Sequence, residues 1–121
     1  MGPPPGGTPP PPTASGPRPQ YLDFPDIPIP AELDVRSGDS NVFQSGQLKM
    51  GFITLRGRVD TNSLINFFTL ALPREGWKLK GQFRYSRSML VFEKPDKTCV
   101  MVFRDSTIYT YVEIYVAPVP N

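Results

Sequence analysis

The stretch TNSLINFFTLALPREGWKLKGQFRYS, residues 61–86, changes its hydrophobic period halfway along, and that change decides the fold. Its first half predicts a helix. Leu64, Ile65, Phe67, Phe68, Ala71 and Leu72 recur at i, i+3, i+4, i+7 and i+8, which gathers them into one apolar stripe. Asp60 or Thr61 offers an N-cap oxygen, Pro73 weakens the last turn, and Gly76 is placed to end it. From Trp77 the period is two: Trp77, Leu79, Gly81, Phe83 and Tyr85 alternate with Lys78, Lys80, Gln82, Arg84 and Ser86. That pattern predicts a half-buried strand with one wet face.

Downstream, Met89 to Lys94 reads as the hairpin partner of this strand, Pro95-Asp96 as a turn, and Thr98 to Arg104 as the return. A second turn at Asp105-Ser106 leads into Ile108 to Val116. There Ile108, Thr110, Val112, Ile114 and Val116 share one face, and Tyr109, Tyr111, Glu113 and Tyr115 the other. Upstream, Gln47 to Arg58 is a strand of ambiguous facing, with Gly51 and Gly57 hinting at a bulge or a close approach. The expected architecture is therefore α+β: one strand, one amphipathic helix, then a four-strand antiparallel meander with the helix packed on one sheet face.

Composition divides the chain. Of sixteen prolines in 121 residues, twelve fall in the first thirty, so residues 1–23 read as a disordered proline-rich tail. Pro9 to Pro12 are consecutive and favour polyproline II, a stiff form in which about twenty residues span about 60 Å. A spacer is the expected use, with a proline-rich ligand for an aromatic groove as the alternative. Residues 24–45 read as an extended lead-in, with Phe24, Ile27 and Ile29 as anchors among prolines, followed by a polar loop from Arg36 to Ser45. Residues 46–119 form the expected α+β domain. Residues 1–45 carry two basic and five acidic side chains, a net −3, and the remainder eleven and six, a net +5. The domain is mildly basic.

The residue inventory argues against catalysis. With no histidine anywhere, Ser-His and Cys-His sites are excluded and the usual zinc ligand is missing. No metal, cofactor or catalytic residue is expected. Asp60, Asp96 and Asp105 sit where caps and turns favour aspartate, leaving Glu75, Glu93 and Glu113 unpaired in sequence. Cys99 alternates with Met101 and Phe103, so it reads as a small buried hydrophobe. No apolar run approaches a membrane span. The possible ligand-facing surface is Lys78, Lys80, Arg84 and Arg87, joined by Tyr109, Tyr111 and Tyr115 if the strands share a face.

One resemblance adds to this reading. Ile27-Pro28-Ile29-Pro30-Ala31-Glu32-Leu33, Gly46, Gly51 and Gly57, Leu64 with Phe67-Phe68, Leu72 with Gly76-Trp77, Leu90 to Lys94, and Cys99-Val100-Met101-Val102 follow in order. Together they resemble an uncharacterised domain of proteobacterial lipoproteins over roughly residues 24–118. The resemblance implies a periplasmic, outer-membrane-anchored protein with a lipidated first cysteine, where this sequence has Met1, and an envelope protein or polymer as partner. Two expectations compete: a non-catalytic binding or scaffolding module displayed on the spacer, and a soluble single-stranded nucleic-acid binder using the basic, aromatic sheet face.

Overall fold

A computed structural model describes residues 18–46, 48–84 and 87–119. Nine strands and one α-helix are seen among them: β1 Gln20–Tyr21, β2 Pro28–Ile29, β3 Asp34–Val35, β4 Asn41–Ser45, β5 Leu48–Gly57, α1 Thr61–Ala71, β6 Lys78–Arg84, β7 Ser88–Lys94, β8 Lys97–Asp105 and β9 Thr110–Pro118. β1 and β2 form a small ribbon, and the other seven strands make one antiparallel sheet in the order β3-β5-β9-β8-β7-β6, with β4 also paired to β5.

This corrects the expected α+β architecture. The protein is mostly β, with seven strands in its main sheet and a single short α-helix among the described residues, and a helix-packed four-strand meander does not describe it. The difference arises before the helix. β5 is ten residues long and pairs with β9 from Gly51 to Gly57, while its other edge takes β3 at one end and β4 at the other. Asn41–Ser45, expected as loop, is thus a strand, held by the ladder of its neighbour rather than by a hydrophobic alternation of its own. Of the proline-rich tail, residues 1–17 lie outside the described residues, and Gln20–Tyr21 is a strand.

The helix begins where its cap dictates. Asp60 Oδ1 accepts from the Ser63 hydroxyl at 2.7 Å and Oδ2 from the Ser63 N–H at 3.0 Å, and the hydroxyl first, then the N–H, hold the carboxyl below its ordinary value. Around Pro73 the chain tightens into a 3₁₀ turn, Leu72–Glu75, and Gly76 at φ 94° ends it in the left-handed region. Leu64, Ile65, Phe68 and Leu72 are buried, and the Phe68 ring centroid lies 6.0 Å from that of Phe103 on β8.

The helix covers only part of one sheet face; the chain before β3 covers more. Phe24, Ile27, Ile29 and Leu33 are buried in the same core as Leu55, Phe92, Met101 and Ile114. Gln20 Nε2 donates to the carbonyls of Pro30 and Leu33, and Tyr21 Oη donates to Glu75, so the chain enters on this covered side. Each large side chain buried here contributes about 1.5–3 kcal/mol, and without the lead-in much of the inner face would meet water.

β6 departs from its predicted alternation. Leu79 pairs with Phe92, and the next paired residue, Gly81, meets Val91, so a bulge at Lys80 exchanges the two faces. Trp77 is buried, but Leu79 is 41% and Phe83 55% exposed. Phe83 therefore joins the outer face, beside Met89.

Candidate functional site: the uncovered sheet face

The pairing register lays out the outer face in rows. One row runs Phe52, Tyr115, Val100, Val91; the next runs Thr54, Glu113, Val102, Met89, Phe83; a third runs Arg56, Tyr111, Arg104. No α-helix lies over them among the described residues. Phe52 is 37% and Tyr115 42% exposed, and their ring centroids stand 5.7 Å apart at 33°. An open aromatic and aliphatic patch of this kind is uncommon on a sheet that has no partner.

Arginines border the patch. The Arg56 guanidinium lies 4.3 Å from the Tyr109 ring centroid, Arg58 5.7 Å from the same ring, and Arg104 4.5 Å from Tyr111. None of the three forms an ion pair among the described residues, where the ion pairs are Arg36–Asp39 and Lys94 and Lys97 with Asp26. A guanidinium laid against a ring keeps its N–H edge free for a carboxylate or phosphate.

Glu113 sits between these groups. Its Oε1 accepts from Tyr115 Oη at 3.1 Å. Burial and this carboxylate push the Tyr115 phenol above its ordinary value, while the positive charge of Arg87 opposes the shift. Beside them an open hollow of about 580 Å³ is lined by Asp39, Ser40, Asn41, Phe52, Thr54, Arg104, Tyr111, Glu113 and Tyr115, with Gly38 at its rim.

The sequence-predicted surface is only partly assembled. Tyr109, Tyr111 and Tyr115 do share one region, and Arg87 is exposed near Tyr115. Lys78 does not join them: on β6 it pairs with Glu93 of β7, three strands from β9 or about 14 Å, in the row of Ala117, at the far end of the ladder from Tyr111. Lys80 lies in the bulge, and the side chain of Arg84 lies outside the described residues. Arg56, Arg58 and Arg104, which do approach the tyrosines, were missed because they reach them through the β5–β9 and β8–β9 registers. The signal in the sequence was Arg56 and Arg58 two apart in a strand whose facing was ambiguous.

Cys99 offers no chemistry at this face. Its side chain is fully buried and burial pushes the thiol up to about 12. No family model, curated protein or solved structure matches the chain.

Proposed function

We propose that this protein is a non-catalytic binding module of a bacterial cell envelope, displayed on its proline-rich N-terminal segment, with the uncovered sheet face as its ligand surface. The observation that carries the reading is the asymmetry of the sheet. Helix and lead-in occupy one face, and the chain enters there through Gln20 and Tyr21, whereas the other face presents Phe52, Tyr115 and Phe83 to solvent. A tether on the covered side leaves the open side turned outward. The absence of histidine from the sequence and the burial of the one thiol support a role without covalent chemistry. The envelope assignment rests on the resemblance to proteobacterial lipoprotein domains. That resemblance implies attachment through a lipidated cysteine.

Fractionation of the native host tests the assignment. Protein expressed from its own gene is expected to sediment with the outer membrane and to leave it when the bilayer is dissolved in detergent. Recovery in the cytoplasmic fraction contradicts the proposal.

A second reading, single-stranded nucleic-acid binding, is favoured by one observation: Arg56, Arg58 and Arg104, without ion-pair partners among the described residues, stand beside the half-buried rings of Tyr109 and Tyr111, a combination that can stack bases while holding phosphates. In that case log affinity falls with log salt at about −0.7 per phosphate contacted.

A further inference from the structure

We infer that the hollow beside Phe52 and Tyr115 is a subsite for an acidic polysaccharide. The inference rests on the reading of the uncovered face as the ligand surface and adds the chemistry of the ligand. Three features of the hollow carry it.

The first is the pair of rings. Phe52 and Tyr115, 5.7 Å apart and tilted by 33°, form a shallow apolar platform with a negative π-face. The C–H face of a pyranose, weakly positive at its hydrogens, fits such a surface, and so does a base.

The second feature separates those two ligands. Glu113 and Asp39 line the same hollow. Glu113 Oε1 receives the Tyr115 hydroxyl, and its Oε2 accepts no hydrogen bond among the described residues. Asp39 Oδ2 is 3.3 Å from Arg36 at an exposed position. Ionised carboxylates only accept hydrogen bonds. A sugar brings several hydroxyl donors for them, whereas the phosphates of a nucleic-acid backbone bring none. The Asn41 amide, which also lines the hollow, extends the hydrogen-bonding set.

The third feature is the border of unpaired arginines. Arg104 lines the hollow, and Arg56 lies in its row across Tyr111. From the Tyr115 row to the Tyr111 row is four residues, about 13 Å along the strand. That exceeds one sugar ring, so a chain seated on the Phe52–Tyr115 platform reaches the guanidinium groups with the carboxylate of a following unit. Arg104, 4.5 Å from the Tyr111 ring centroid and without an ion-pair partner among the described residues, has its N–H groups available for a bidentate contact with that carboxylate.

Amide NMR of the isotope-labelled full chain tests this with three probes: trigalacturonate as the acidic sugar, maltotriose as the neutral one, and a short oligothymidylate. Trigalacturonate is expected to shift the Phe52, Glu113 and Tyr115 amides saturably and to bind about tenfold tighter than maltotriose. Arg104→Gln should remove that preference while leaving maltotriose binding in place, and Glu113→Gln should weaken both sugars. If oligothymidylate alone moves these amides, the face is a binding surface but its ligand is nucleic acid, and the inference is overturned while the face assignment survives. If no probe moves them, the sugar inference is overturned as well. A trigalacturonate response confined to Lys78 and Lys80 overturns the inference and the face assignment together.

Discussion

The Lys94 ammonium lies 2.7 Å from Asp26 Oδ2, joining the lead-in to the end of β7 across 68 residues of chain. Lys97 reaches the same oxygen at 2.8 Å, and Trp77 Nε1 donates to the Asp26 carbonyl at 2.9 Å. Both ammonium groups also stand over the Trp77 ring, at 4.9 and 5.4 Å. Burial alone would push the Asp26 carboxyl up, but the hydrogen bonds and charges of the two lysines outweigh it and hold it below 3.8.

Stability should follow that carboxylate. A group with a depressed folded pKa stabilises fully above its unfolded value, so the contribution is complete above about pH 5 and is lost as the pH falls through 3.8 toward the folded value. In Asp26→Asn the melting temperature is expected to fall less steeply over this acid window than in the parent. Near neutrality the same variant should be less stable by about 1–3 kcal/mol, because two half-buried ammonium groups lose their partner. Parallel pH profiles would show that Asp26 is not held by the lysines.

Phe68 is the test of the core. It is fully buried, edge-on to Phe67 at 5.3 Å and close to Phe103. Phe68→Ala should cost about 3–5 kcal/mol by emptying a site between helix and sheet. Denaturant unfolding measures it, and a midpoint equal to the parent's would mean that the helical stripe does not face the sheet.

Two glycines of β5 permit close approach of another stretch of backbone. A Cβ on Gly57 would stand 2.5 Å from the Glu32 carbonyl oxygen, and one on Gly51, whose φ is 147°, would run into the Asn41 carbonyl. Alanine at either position should cost about 1–3 kcal/mol. At Gly51 the damage should concentrate on β4, read as faster amide exchange at Val42 and Gln44. Gly38, with open space around it, should accept alanine with little change in melting temperature. Equal effects at all three positions would contradict the packing described.

The sequence made the helix legible because its stripe, cap and terminating glycine agree, and residues 98–104 and 110–116 legible because alternation within each is unbroken; Ile108, read onto the same face as Val112, is 60% exposed and lies before β9. It hid what depends on partners. Asn41–Ser45 places Val42 and Phe43 side by side and shows no period; only the edge of β5 makes it a strand. In β6 the bulge at Lys80 inverts the alternation, so Phe83, read as buried, is exposed, and Gly81 was its one local cue. The arginine–tyrosine cluster was hidden for the same reason, since Arg56 meets Tyr111 and Tyr109 only once β5 and β9 are in register.

The central claim is that the uncovered face, at its Phe52–Tyr115 corner, is the ligand surface. Co-sedimentation with purified insoluble envelope polysaccharide tests it most directly, comparing the parent, a Phe52→Ser/Tyr115→Ser variant and a Lys78→Gln/Lys80→Gln variant of equal melting temperature. The parent is expected to sediment, the ring variant to lose about tenfold or more in affinity, and the lysine variant to stay within about twofold of the parent. A parent that stays in the supernatant, or a lysine variant that loses as much as the ring variant, would contradict it.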